Sequence, residues 1–524
     1  LTRTRYCLMR PIFTYLLLCL TLLCSACSVN PVTGEKQLMF SSFSEDVKIG
    51  QQQYQPAQQS QGGAYNLDPK LSEYVSTVGM RLAALSDVPK LPYEFVVLNN
   101  SVPNAWALPS GKIAINRGLL LKLESEAQLA AVLSHEIVHA AARHGAQRQR
   151  DNLLVQVGMA GLGLGLANND YRDLIIGGAN LGARLTTAKY GRDHELESDH
   201  YGMKYMAKAG YNLQGAVELQ KVFVSLSKQQ KSSWLDGLFA SHPPSQERVE
   251  ANIKYAASNP VKDAFSGKEA YQQAIAYLKS KQEAYDLADQ ANAALAQKDY
   301  DLALSLISKA SNIEPKEALF SAIKGDALAA KGNKDSALAA HMRATELNPN
   351  QFSYYLKRAQ SYAALGQSSY AIDDYRYSMR LLPTSIAALQ LGELYSESQN
   401  QEQALKYYAQ AAQAQGDIGQ QAKLKLALIE IKQTPEKYLK AKHVQDPKGP
   451  LLVTIENHSP LNIGALQLRT QLIDANGKVI KIEEWSINET IPAQKRSPYY
   501  PAKVVYHLKT GEKVKTSISS VTLE

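Results

Sequence analysis

The spacing of hydrophobic positions changes several times along this chain of 524 residues, and each change predicts a different element. Pro11 to Ala26 is an uncharged, leucine-rich run behind Arg3, Arg5 and Arg10, too short to cross a bilayer comfortably. Lys112–Asn116 (KIAIN) alternates as an edge strand does. Ser125 to Ala142 holds no Pro or Gly; its Leu133, Ile137 and Ala140 fall opposite His135 and His139, predicting a helix packed by one side with both histidines facing a cleft. Leu153–Ala167 and Leu174–Leu185 are apolar and glycine-rich, separated by Arg172 and Asp173, and read as a buried helical hairpin or as a flap over the cleft. From about residue 275 the texture is alanine- and tyrosine-rich. Beyond Pro447, Leu451–Glu456, Ala465–Ile473, Val479–Ile487, Val504–Leu508 and Val514–Val521 are strand-like, with a hairpin signal at Asn476-Gly477.

The alanine-rich region is periodic. Pro315, Pro349 and Pro383 stand 34 residues apart, each with an alanine twelve positions before it: Ala303, Ala337 and Ala371. Ala310, Ala344 and Ser378 repeat five before each proline, and Gly332 and Gly366 mark turns between paired helices. A fourth unit, slipped by one residue, runs through Gly392, Ala404, Tyr408 and Ala411. A 34-residue period with small residues at helix crossings is the tetratricopeptide pattern, a solenoid that presents a surface to protein partners.

The chemistry lies in His135-Glu136-Ile137-Val138-His139. Two histidines four apart project from one helix face and can grip one metal ion, and the glutamate between them can reach a metal-bound water as general base. A catalytic zinc needs three protein ligands and an open position. Residues 191–203 (GRDHELESDHYGM) offer Glu195 and Asp199, four apart on a helix opening near Asp193; Glu197 is turned about 200° from Glu195. From these residues alone, Glu195 and His194 are nearly equal candidates.

The H-E-x-x-H helix followed by Glu-x-x-x-Asp resembles the glutamate zincin family of the CAAX prenyl endopeptidases, HtpX-type proteases and bacterial β-barrel assembly-enhancing proteases. Asn104–Leu120 is similar to that family's N-A-x-A-x-P-x-G segment and following strand, and Ser241–Val249 (SHPPSQERV) to its H-P-x-x-x-x-R element. The resemblance covers roughly residues 30–255 and implies one Zn2+ per chain held by His135, His139 and Glu195. It implies Asp199 as support for the histidines, His242 as oxyanion stabiliser or fourth, capping ligand, and Arg248 as a brace. The adjoining strand would hold an extended substrate by its backbone.

The leader ends Leu23-Cys24-Ser25-Ala26-Cys27, which resembles a lipobox cleaved before Cys27, with Cys24 where an aliphatic residue is usual. Ser28 after it suggests sorting to the outer membrane of a two-membrane bacterium. All four cysteines (7, 19, 24 and 27) lie at or before that point, so the remaining chain forms no disulfide and stability rests on hydrophobic cores. The formal charge of +8, or +5 without the leader arginines, is too dilute for a nucleic-acid footprint. No Gly-x-Ser-x-Gly elbow appears.

The expected organisation is multidomain. It comprises a lipoprotein signal at 1–26, an N-terminal tether and helix at 27–65, and a mainly α zincin peptidase domain with a small sheet at 66–262. A tetratricopeptide α-solenoid follows at 275–432 and a small β-sandwich, immunoglobulin-like, at 446–524. Peptidase followed by repeats is similar to the β-barrel assembly-enhancing group, which implies unfolded or stalled outer-membrane proteins as substrates and the barrel-assembly machinery as a partner of the repeats. The expected activity is that of a periplasmic zinc endopeptidase tethered through lipid on Cys27. The competing reading is a chaperone or adaptor whose zinc is permanently capped by His242.

Overall fold

A computed structural model describes residues 27–151, 189–228, 236–446, 450–502 and 508–524. The leader at 1–26, the glycine-rich segment 153–185 and all but the last residue of the strand expected at 504–508 lie outside these. The protein is mostly helical and multidomain, with small sheets and no closed barrel among the described residues. Among those residues no helix is long and apolar enough to cross a membrane. Two compact units are present, one ending at Leu382 and one running from Pro383 to Glu524.

The first unit opens with a hairpin of β1 (Cys27–Val29) and β2 (Lys36–Leu38). Helix α1 (Phe43–Ser60) starts on a capping box between Ser42 and Glu45, and α2 (Pro69–Ala83) on Asp68 with Pro69 at its first position. Strands β3 (Glu94–Leu98), β4 (Ala105–Leu108) and β5 (Lys112–Asn116) form a sheet in the order β3-β5-β4. The expectation of an edge strand at Lys112–Asn116 is therefore corrected. Strand β5 is central, parallel to β3, antiparallel to β4 and buried throughout, so β4 and β3 are the edges. Its polar ends imitate solvent exposure. The Lys112 ammonium instead bonds to the Pro92 carbonyl and Glu94, and the Asn116 amide donates to the Val102 carbonyl at 2.8 Å.

After the short α3 (Arg117–Leu120) comes α4 (Glu126–Ala141), capped by Ser125, whose hydroxyl accepts from the Gln128 amide. Nearly every residue of α4 is buried, the polar ones included. The helix is thus the axis of the unit and not a half-exposed amphipathic helix. It is followed by α5 (Arg192–Lys208), α6 (Gln214–Lys228), α7 (Asp236–Ser241) and α8 (Gln246–Ser258). Two glycines let neighbours reach its backbone. A Cβ on Gly202 of α5 would stand 3.1 Å from the Ser134 hydroxyl and 3.2 Å from the His135 nitrogen, and one on Gly215 of α6 would be 2.9 Å from the Ala127 methyl.

Short helices α9 (Lys268–Ala274) and α10 (Ala276–Ser280) lead into paired helices: α11 (Gln282–Ala296) with α12 (Tyr300–Ile313), α13 (Ala318–Ala330) with α14 (Lys334–Leu347), and α15 (Phe352–Ala364) with α16 (Ser368–Leu381). The 34-residue spacing becomes packing here. Ala303, Ala337 and Ala371 are fully buried or nearly so, as are Ala310, Ala344 and Ser378. A Cβ on Gly325 would meet the His341 ring at 2.2 Å, so a side chain there would force the pair apart. The turn of each pair passes through a left-handed residue, Gly332 and Gly366 but also Lys298.

The repeats are not hung from a flexible linker. One hydrophobic core runs from Val32 through the zincin helices to Phe320 and Ile323. Arg117, 2% exposed, lays its guanidinium 3.5 Å over the Tyr285 ring and donates from Nε to Asn99 Oδ1 at 2.8 Å. Buried Glu317 accepts from Asn99 and from the Tyr285 hydroxyl, and caps α13 through the Leu319 amide. Farther along, Gln59 of α1 donates to the Asn350 carbonyl at 2.6 Å and accepts from the Phe352 amide at 2.8 Å.

The second unit contains α17 (Ser385–Glu397), α18 (Gln401–Ala411) and α19 (Gly416–Gln433), with Gly392 set against the Tyr408 ring. Two three-stranded antiparallel sheets follow. One has β6 (Leu439–Gln445), β7 (Leu451–Asn457) and β10 (Tyr500–Pro501) in the order β10-β7-β6; the other has β8 (Ile463–Ile473), β9 (Val479–Ile487) and β11 (Lys513–Leu523) in the order β11-β8-β9. Leu439, Val453, Ile455, Leu466, Leu468 and Ile518 join both sheets in one core. Strand β6, ahead of Pro447, has no counterpart in the sequence reading, because its inward side offers only Leu, Ala, His and Gln.

Removing the Glu317 carboxylate leaves the buried Asn99 amide and Tyr285 hydroxyl without their acceptor and uncaps α13, a loss of about 3 kcal/mol. Glu317→Ala is expected to lower the unfolding free energy measured in urea by that amount, and Glu317→Gln, whose amide oxygen can still accept, by clearly less.

Candidate metal centre

The first two candidate ligands meet because α4 is regular. His135 and His139 lie one turn apart, and their Nε2 atoms approach to 3.0 Å. Helix α5 crosses this turn and brings Glu195 Oε2 to 3.5 Å from His135 Nε2 and Oε1 to 3.4 Å from His139 Nε2. His194, the rival candidate, is placed elsewhere: its Nε2 faces Gln147 Oε1 at 3.1 Å. His242, just after α7, turns Nδ1 toward the same point, 3.3 Å from His135 Nε2 and 3.1 Å from Glu195 Oε1. Ligand atoms of these four buried residues all lie within 4.8 Å of one another.

Around them stands a frame. Asp199 Oδ1 lies 2.9 Å from His135 Nδ1, and Arg248 donates to both Asp199 oxygens at 2.6 and 2.8 Å. Arg248 Nη1 also reaches Glu195 Oε2 at 2.6 Å. The Tyr190 ring stacks on His139 at 3.8 Å. Glu136, 2% exposed, points Oε1 at His242 Nε2 at 3.5 Å, while its Oε2 has no hydrogen-bond partner.

This donor set fits a divalent cation. Tetrahedral zinc with nitrogen ligands near 2.05 Å holds ligand atoms about 3.3 Å apart, the spacing seen here. Charge points the same way: three buried carboxyl groups, Glu136, Glu195 and Asp199, face a single arginine, Arg248, in a dry pocket. Burial works against the charged form of His135, yet Glu195 and Asp199 push it up to about 9, so the protein draws a cation to this point. His139 is pushed well below the usual histidine range by burial. Burial opposes the charge of Glu195, but His242 and Arg248 hold its carboxyl well below the usual range, as Arg248 does for buried Asp199. Glu136 is pushed up by burial.

Tyr190 and His144 belong to this neighbourhood although sequence reasoning passed over both. On a continuing helix His144 would sit roughly 140° round from His139. Helix α4 ends instead at Ala141, and Arg143 adopts a left-handed conformation (φ 62°) that returns His144 beneath His139, 2.9 Å from its Nδ1. The strained turn is held by Arg143 bonding to Asp46, Ser28 and Ser41. No local signal announces such a turn at an arginine.

Residues 69–256 match the family model Peptidase family M48, and this segment is a zinc metallopeptidase domain of that family. Among curated proteins, the chain is 29% identical over 199 residues to the putative beta-barrel assembly-enhancing protease of Vibrio cholerae, covering 37% of this chain and 40% of that protein. It is 32% identical over 197 residues to the mitochondrial metalloendopeptidase OMA1 of Schizosaccharomyces pombe, covering 36% and 56%. The chain thus spans about two fifths of the length of the first bacterial relatives it matches. Among solved structures, the first TPR domain of human RPAP3 matches 23% of this chain and 97% of its own at 21% identity and a TM-score of 0.22, too slight to argue from.

Zinc added to metal-free protein is expected to bind one per chain and, at about a thousandfold excess over its dissociation constant, to stabilise the fold by about 4 kcal/mol. Calorimetric melting with and without a chelator checks this; Glu195→Ala should abolish most of the difference.

Proposed function

We propose that the chain is a zinc-dependent endopeptidase of the periplasm that degrades misassembled outer-membrane proteins. The observation that carries the reading is the convergence of His135, His139 and Glu195 beside a buried glutamate with one unpartnered oxygen. Zinc, when bound, supplies a Lewis acid that polarises the scissile carbonyl and acidifies the attacking water.

The remaining work falls to side chains. Asp199, braced by Arg248, fixes the His135 ring so that Nε2 faces the centre. Glu136 takes a proton from water at its free Oε2 and returns it to the leaving amine; burial, by raising its proton affinity, suits it to both steps. Strand β4, the edge strand that packs against α4, takes the role first assigned to β5 and offers its backbone to an extended substrate. A cavity bounded by His135 and Glu136 and lined by Met203, Met206, Leu219 and Phe223 would accept an apolar side chain beside the cleaved bond.

His242, whose Nδ1 lies 3.1 Å from Glu195 Oε1, would serve as a fourth ligand to a bound zinc; on this reading the arrangement is a resting, capped state, and cleavage requires the imidazole to swing aside. Lipid on Cys27 would hold the chain at the outer membrane. The paired helices with their 34-residue period would dock the barrel-assembly machinery or its clients, and the C-terminal sheets, read as a small sandwich, would serve as a spacer or docking module. The names of the bacterial relatives support this setting. The same His242 geometry favours one second reading, a chaperone or adaptor whose site never opens.

Cleavage of an unfolded outer-membrane β-barrel separates the two. Glu136→Gln should lower the rate by about 10²–10⁴-fold while zinc content stays at one per chain, and His242→Ala should raise the rate. Zinc binding without Glu136-dependent cleavage, even in His242→Ala, would leave the adaptor reading standing.

A further inference from the structure

Zinc-ligating histidines donate their second ring N–H to a fixed acceptor, which sets the tautomer and the ring angle. His135 meets this need through Asp199. His139 has no carboxylate there; its Nδ1 faces another histidine nitrogen, His144 Nδ1, at 2.9 Å.

Two ring nitrogens at that distance share one proton between them. If His139 keeps Nε2 free for the ligand cluster, its proton is on Nδ1 and His144 Nδ1 must accept. The His144 proton then sits on Nε2, which lies 3.2 Å from Glu197 Oε1. The same oxygen accepts from the Asn30 amide at 3.2 Å. The relay is donor-to-acceptor throughout. The reverse tautomer of His144 would set two N–H groups face to face in a wholly buried place, with only the Ser198 hydroxyl, 3.4 Å from Nδ1, as an alternative. The ring is also fixed in plane by His194, stacked on it at 4.3 Å.

We infer that His144 and Glu197 are a positioning pair that makes His139 present Nε2 to the metal, with Asn30 of the N-terminal hairpin holding the end of the relay. Glu197, which the helical wheel turns away from Glu195, acquires a use on the far side of α5. Helix α5 then serves the centre three times: Glu195 as ligand, Asp199 behind His135, and Glu197 behind His139 through His144. The inference rests on the zinc reading above.

The test uses the full purified chain, with zinc affinity measured by competition against a chromophoric chelator and Co2+ as a spectroscopic stand-in. His144→Leu, which removes the acceptor but keeps bulk, should weaken zinc by 10–100-fold and shift the Co2+ visible bands, with the melting point of the metal-free chain unchanged. His144→Asn, whose Oδ1 can accept in place of Nδ1, should recover most of the affinity. Glu197→Leu should weaken zinc and Glu197→Gln should not. Asn30→Asp, which keeps the side-chain acceptor for Val32 and Thr33 but sets a second carboxylate against Glu197, should weaken it too. Unchanged affinity in both leucine variants would overturn the inference and leave the zinc site intact. So would an affinity loss in His144→Leu that tracks a lower metal-free melting point and is not recovered in His144→Asn. A wild type that binds no zinc would overturn both readings.

Discussion

A negative charge imbalance inside a dry helix crossing governs this structure. Helix α4 is buried along nearly its whole length, yet it carries His135, Glu136 and His139 where a core helix would carry leucines. Carboxylates in such a place must be matched by cations or left protonated. Arg248 supplies part of the match by spanning Asp199 and Glu195, and the histidine cluster gathers where the rest must come from. Positions far from the chemistry follow from this demand. Gly202 has no side chain because α5 must come close enough to α4 for Glu195 and Asp199 to reach, and Gly215 lets α6 close on the first turn of α4. Arg143 accepts a left-handed backbone because the chain must turn back beneath His139.

The legible parts of the sequence were those set by a period. The four-residue step from His135 to His139 and from Glu195 to Asp199 is fixed by the helix, so their shared faces could be read directly. The 34-residue recurrence of small residues was equally plain, because each buried alanine marks a place where two helices pack closely, and Gly332 and Gly366 mark left-handed turns between them. Glu195 was separable from His194 only through the family resemblance; side-chain identity could not say which face α5 turns to α4. What could not be read were reversals and neighbours. Arg143 reverses the chain without a glycine, which hid His144. Strand β5 looked like an edge because its terminal lysine and asparagine are polar, whereas those groups are satisfied internally. Strand β6 hid for the same kind of reason, its inward positions being only partly apolar.

The domain picture also changes in kind. Periodicity suggests two modules in series, a catalytic one and a repeat array. The first two helix pairs instead complete the peptidase core: Tyr285 of α11 packs against Phe320 of α13, and Glu317 shares Asn99 with Arg117 at the end of β5. The strand that centres the sheet and the helix pair that begins the array therefore share one set of buried bonds, and one cannot be loosened without the other.

That shared core fixes a distance. A protein gripped by α13 to α16 is held on the same solid body as Glu136, with Gln59 clasping the chain at Asn350 and Phe352 as a second rivet. On the function proposed above, the array would act as a gauge. Whatever it held would be presented at a set reach from Glu136, so which stretch of a captured chain could be cut would be decided by how far along that chain the grip lies, before its local sequence is consulted.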